Sequence, residues 1–135
     1  MAGEVDLNAL LKNMNPDLHP DIFVFCTFAQ DEPVPAFIRP QLRFREREGT
    51  TLVMRREEAE RAGLRYAFVS RLITLTVHSA LDAVGVLAAV TSRLAEAGIS
   101  VNAVSAFYHD HLFVPVDRAD EAMAVLLELA KARSA

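Results

Sequence analysis

Between Leu72 and Val116 the chain changes hydrophobic period twice. Ile73, Leu75 and Val77 alternate with Leu72, Thr74 and Thr76, the period of two expected of a strand. From Ser79 to Ala97 the apolar residues Leu81, Val84, Leu87, Ala88, Thr91, Leu94 and Ala95 recur every three or four positions, which predicts an amphipathic helix. Gly98 stands where such a helix must end, because glycine tolerates the left-handed conformation of a C-terminal cap. Ile99–Tyr108 and His111–Val116 then read as two strands about a tight turn at His109-Asp110. Asp117 or Asp120 is placed to cap a second helix, with Ala119, Ala122, Met123, Leu126, Leu127 and Ala130 on its apolar face. The order β-α-β-β-α is most of a ferredoxin-like unit, an antiparallel sheet with both helices on one face. It lacks a closing strand.

The first seventy residues carry a fainter version of the same pattern. Asp6 can cap a short helix with Leu7, Leu10, Leu11 and Met14 on one side, stopped by Asn15-Pro16. His19-Pro20 continues the turn, and Ile22–Phe28 reads as a strand apolar on both faces. Residues 29–40 hold three prolines and read as a loop. Gln41–Glu48, a turn at Glu48-Gly49 and Thr50–Met54 form a predicted hairpin, followed by a brief helix from Glu57 to Ala62 closed by Gly63. Strand character resumes at Tyr66–Val69 and runs almost directly into Leu72.

Leu52-Val53-Met54-Arg55 into Glu57-Glu58-Ala59 echoes Val114-Pro115-Val116-Asp117 into Asp120-Glu121-Ala122. The fold expected is therefore α+β, with two ferredoxin-like halves at residues 1–70 and 71–135. The first half would lack an opening strand and the second a closing one. Fourteen extended residues from Arg65 to His78 would span roughly 46 Å, too long for one strand, so a bend near Ser70-Arg71 is expected.

Ile73-Thr74-Leu75-Thr76-Val77, Gly85, the run Leu94–Ser100 and Val116-Asp117 resemble an ACT domain, a small regulatory fold that binds amino acids beside metabolic enzymes. The Tyr-His-Asp-His turn at Tyr108–His111 resembles that of stand-alone bacterial proteins built from two ACT-like halves. The resemblance runs strongly from Leu64 onward and more weakly before it. Where ACT turns carry Arg-Pro-Gly after an aspartate, this chain has Ala83-Val84-Gly85 after Asp82, keeping the glycine and losing the proline. The resemblance implies a ligand site at Asp82, Val84, Gly85, Ser100, Val101 and Asn102, shared with a second ACT unit.

The residues themselves suit a zwitterion. The first turn of a helix offers free N–H groups and a positive dipole end to a carboxylate, and Gly85 permits close approach. Asn102, the carbonyls of residues 100–104 and the carboxylate of Asp110 are acceptors for an ammonium. The expected partner is a free amino acid or similar small zwitterion, with a homodimer and a regulated metabolic enzyme as macromolecular partners. The competing reading is a ligand-free oligomerisation or protein–protein interaction module that uses an open sheet edge.

Composition narrows the rest. The chain of 135 residues has a net charge of −4, and neither half has a basic excess: nine basic against eleven acidic residues in 1–70, five against seven in 71–135. A nucleic-acid partner is not expected. Arg43, Arg45 and Arg47 are interleaved with Glu46 and Glu48, a pattern of a charged edge strand. Cys26, the lone cysteine, sits in an apolar run and is read as a buried inert thiol. Met1–Glu4 leads into a polar–apolar pattern, and no stretch approaches a membrane span, so a cytoplasmic location is expected. His109-Asp110-His111 contains metal-ligating residue types, but consecutive strand residues diverge, and no metal or cofactor is expected. No catalytic motif surrounds Cys26, Ser79 or the histidines, and the chain is read as regulatory, not enzymatic.

Overall fold

The computed structural model describes residues 6–76 and 84–132. Val77, His78, Leu81 and Asp82, which figure in the expected strand, helix and loop, lie outside the described residues. The elements in order are α1 (Leu7–Lys12), β1 (Pro16–Phe28), β2 (Leu42–Arg45), β3 (Thr50–Arg55), α2 (Arg56–Arg61), β4 (Ala67–Leu75), α3 (Val86–Glu96), β5 (Asn102–Ser105), β6 (Asp110–Pro115) and α4 (Ala119–Ala132). By contacts the chain forms two compact units, Asp21–Ser70 and Met1–Pro20 with Arg71–Ala135. The first twenty residues thus group with the second half of the chain. Strands β1 and β4 each contribute a segment to both units.

In the 21–70 unit the strand order is β2-β3-β1-β4, that of a ferredoxin-like sheet. Val24, Cys26, Phe28, Leu52 and Met54 alternate onto one face and pack with Ala59 of α2 and Ile38 of the loop. This unit has its opening strand, contrary to the expectation, because β1 fills that role. What it lacks is the first helix, replaced by the proline-containing loop before β2.

In the other unit the order is β1-β4-β6-β5. Its closing strand is not missing either: the Pro16–Pro20 part of β1 supplies it from the beginning of the chain. Ile73, Leu75, Leu112 and Val114 face Leu11, Val90, Leu94, Leu126 and Leu129 from α1, α3 and α4, so the helices share one face. Asp6 Oδ1 accepts from the Ala9 amide at 3.1 Å and starts α1 as expected.

Several boundaries differ from the pattern-based ones. β1 begins at Pro16, because Asn15 makes the turn alone at φ 44°, and His19-Pro20 continues extended. β4 runs unbroken through Ser70-Arg71. Its irregularity is Phe68 at φ 56°, whose ring meets Phe25 edge-on at 5.7 Å. α3 begins at Val86 and not at Ser79, since Gly85 is left-handed (φ 94°) and cannot lie inside a right-handed helix. Its buried face is Val86, Val90 and Leu94, with Leu87 only half-buried and Ala88 and Ala95 exposed. In α4 Leu129 is buried and Leu127 is 54 % exposed. Asp117 lies within a 3-10 turn and Asp120 in the first turn of α4, so neither is the cap that was expected.

The two hairpins repeat each other. Leu42–Arg45 pairs with Thr50–Val53, and Asn102–Ser105 pairs with Asp110–Phe113, an offset of sixty residues. Each turn is closed by an equivalent bond, Glu46 N–H to Gly49 O at 2.7 Å and Ala106 N–H to His109 O at 3.0 Å. The turns therefore fall at 46–49 and 106–109, and Asp110 belongs to β6. The repeat aligns Leu52 with Leu112, two positions away from the echo read in the sequence. Burial follows the structural register, identical residue for residue in β3 and β6.

Candidate functional site

Val84 and Gly85 form the entry to α3. Gly85 accepts from the Ala89 amide at 2.9 Å, and no side chain caps the helix. A Cβ on Gly85 would meet Leu7 Cδ2 at 3.5 Å, an ordinary contact, so the demand for glycine comes from the positive φ. Val84 is 84 % exposed. The first turn of α3 contains no acidic residue, so its amide groups and dipole end favour an anion.

Ser100, Val101 and Asn102 lie beyond the other end of α3, where the chain enters β5; Ser100 and Asn102 are exposed and Val101 is half-buried. An eleven-residue helix is roughly 16 Å long, and its length separates Gly85 from Ser100. Within one copy the two groups of expected ligand residues are therefore not brought together. Asp110 is apart from Asn102 as well. It pairs with Ser105, three residues or roughly 10 Å along β5 from Asn102. Asn102 shares the alternation of His111 and Phe113, whereas Asp110 shares that of Leu112 and is buried. The Asp110 carboxylate accepts from Ser105 Oγ at 2.7 Å. Asp82 lies outside the described residues.

Three residues on the sheet face opposite the helices form a chain that the pattern reading did not find. His19 Nε2 lies 3.0 Å from Thr74 Oγ1, and Thr74 Oγ1 lies 2.9 Å from His111 Nδ1. Thr74 is the penultimate residue of β4 and almost fully buried. Burial first, then the neighbouring imidazoles of His109 and His19, lowers the His111 pKa, against the opposing pull of Asp110. The His109 and His111 rings stand 6.4 Å apart. The alternation of Thr74 with Ile73 and Leu75 was a signal that Thr74 faces away from the helices, but its partners come from distant segments. Among the described residues no cluster of three or more His, Cys, Asp or Glu side chains could hold a metal ion.

The 21–70 unit contains a cavity of about 250 Å³ lined by Phe37, Arg55, Glu57, Glu58 and Arg61. Arg55 pairs with Glu57 at 2.7 Å and Glu58 at 3.2 Å, and the Arg61 guanidinium lies 4.1 Å over the Phe37 ring. Its charges balance, so it has no field selecting either sign of ligand. Cys26 is buried, and burial pushes its thiol pKa up, which disfavours the reactive thiolate. No helix among the described residues is long and apolar enough to cross a membrane.

The chain matches two family models described as ACT domain, one over residues 2–71 and one over 68–128. It is 43 % identical to a Vibrio cholerae protein of unknown function, VC0802, described as a possible transport protein. That match covers 92 % of this chain and 95 % of that one, with a TM-score of 0.80. Protein Atu0741 from Agrobacterium tumefaciens is 19 % identical over 85 % of this chain and 87 % of that one, with a TM-score of 0.70. The regulatory subunit of aspartate kinase from Thermus flavus shares the fold at 11 % identity and a TM-score of 0.65, covering 96 % of this chain and 99 % of that one. No curated protein matches.

Proposed function

The chain belongs to the ACT domain family, and from that premise we propose that it is a regulatory module that binds a free amino acid and changes shape or assembly in response. The observation that carries this reading is the uncapped N-terminus of α3 behind left-handed Gly85, a donor set suited to a carboxylate. The polar residues Ser100 and Asn102 supply acceptors for the ammonium. Because α3 holds the two groups apart in one copy, they converge only when a second copy apposes its β5 entry to the first copy's Gly85. A homodimer with ligand at its interface follows, and a metabolic enzyme or transporter is the downstream target.

A thermal-shift screen against the common amino acids tests this. A ligand at one hundred times its dissociation constant stabilises the folded state by about 2.7 kcal/mol, several degrees for a chain of this size. Gly85→Leu or Asn102→Ala should reduce that shift. No response to any amino acid at millimolar concentration would remove the reading.

The second reading is a ligand-free interaction module. It draws on Phe107 and Tyr108 at the β5–β6 turn, which are 68 % and 63 % exposed and packed edge-on at 5.0 Å. Loss of dimerisation on changing both to Ser, together with a silent amino-acid screen, would favour it.

A further inference from the structure

Glu58 is a carboxylate buried in the 21–70 unit, its side chain only 6 % exposed. Its Oε2 accepts twice, from the Arg39 amide and from Arg55 Nη2, each at 3.2 Å. Its Oε1 accepts from nothing, and among the described residues no other buried side-chain nitrogen or oxygen lacks a hydrogen-bond partner. A charged oxygen left in that state is costly, because burial removes the water that would otherwise bond to it. The same residue lines the cavity of about 250 Å³, together with Phe37, Arg55, Glu57 and Arg61. That volume is several times the roughly 30 Å³ share of one water molecule.

Arg61 carries the opposite demand. It stands three residues after Glu58 on α2, so the two side chains share a face of the helix. Its guanidinium lies over the Phe37 ring, and among the described residues it is in no ion pair. Arg55 is already taken by Glu57 and Glu58. The cavity wall therefore leaves one acceptor without a donor and one guanidinium without an acceptor. Its own charges cancel, Arg55 and Arg61 against Glu57 and Glu58.

We propose that this cavity binds a small uncharged molecule with a primary amide or urea-type group, whose N–H donates to Glu58 Oε1 and whose carbonyl accepts from Arg61. A hydrogen bond to an ionised group is strong even when its other partner is neutral. An amide gains two such bonds without bringing a charge of its own to the buried end, where desolvation would penalise it. A free anion or cation would upset the balance of the wall. Oε1 is closed to bulk water, and the soft terminal torsion of a glutamate lets a small rotation turn it toward the ligand. The site lies wholly within the 21–70 unit and does not rest on the amino-acid reading, so either can fail alone.

The test is an amide NMR titration of the whole chain with propionamide at millimolar concentration. Propionate, ethylammonium and β-alanine serve as the anionic, cationic and zwitterionic comparisons. Propionamide should move the resonances of Phe37, Arg39, Glu58, Arg61 and Ala62 to saturation, and bind there more tightly than the three charged probes. Glu58→Gln keeps an oxygen for the Arg39 amide but sets an NH2 group where Oε1 stands, so it should weaken binding by about tenfold or more. No movement of these resonances, tighter binding of a charged probe, or wild-type affinity in Glu58→Gln would each overturn the proposal. If Glu58→Gln fails to fold, Arg61→Leu on the exposed side of α2 decides: it should weaken propionamide binding, and unchanged affinity would overturn the proposal.

Discussion

Glu58 and Arg118 occupy equivalent positions in the two units, sixty residues apart, and bond to the preceding segment with opposite polarity. Arg118 donates to the carbonyls of Ala97 and Gly98 at 3.0 and 3.2 Å, where α3 ends. Glu58 Oε2 accepts from the Arg39 amide at 3.2 Å, where a loop replaces that helix. A helix terminus presents carbonyls and therefore takes a donor, whereas the loop presents an N–H and takes an acceptor.

This predicts that the two side chains are not interchangeable. Glu58→Leu should cost roughly 1–3 kcal/mol, because the Arg39 amide and the Arg55 guanidinium both lose an acceptor. Arg118→Glu should lower the urea midpoint by placing an acceptor beside carbonyls. A midpoint unchanged by both substitutions would show that these bonds contribute nothing measurable.

Gly49 is required by space. A Cβ there would lie 2.5 Å from the Phe28 carbonyl oxygen, a backbone atom that cannot rotate away. Gly49→Ala should cost about 1–3 kcal/mol, as overpacking does, and the loss should appear in equilibrium urea unfolding. Gly63→Ala is the comparison: space there is open, so only its positive φ opposes the change.

The helix faces can be checked by paired truncation. Leu94→Ala should cost about 2–5 kcal/mol, since Leu94 is fully buried against α4 and the sheet. Leu127→Ala should stay within about 0.5 kcal/mol, because most of that side chain is in water. Equal losses would mean that the phase of these helices is wrong.

Those faces also mark how far the chain could be read. Periodicity was sufficient for element type, for Asp6 as a cap, and for Ile73, Leu75, Leu94 and Leu126 in the core. It placed the start of α3 too early, since Val84 continues the helical spacing although Gly85 after it is left-handed and α3 begins only at Val86. Strand sharing was illegible for a different reason. Nothing local in Pro16–Pro20 says that it completes a sheet whose other strands lie more than fifty residues away. The His19–Thr74–His111 chain was hidden by the same long separations, and the opposed faces of Asn102 and Asp110 depend on a register set by a turn two residues earlier than expected.

Stability should fall as pH drops through the histidine range. The unfolded chain binds a proton on His111 near the ordinary value of about 6.5, while the folded state resists it. The contribution is full above that value and is lost as pH falls to and through the lowered folded pKa. Urea unfolding between pH 7.5 and 5 should show this loss, and His111→Gln should flatten it. A profile as steep in His111→Gln as in wild type would place the effect elsewhere.

Amide chemical-shift mapping during an amino-acid titration tests the regulatory reading most directly. If the proposed site is correct, at least one amino acid moves the resonances of Val84, Gly85, Val86 and Leu87 together with those of Ser100, Val101 and Asn102. Both groups should saturate at the same concentration, because one ligand bridges two copies. Movement confined to one group, or no movement with any amino acid at millimolar concentration, would contradict the account.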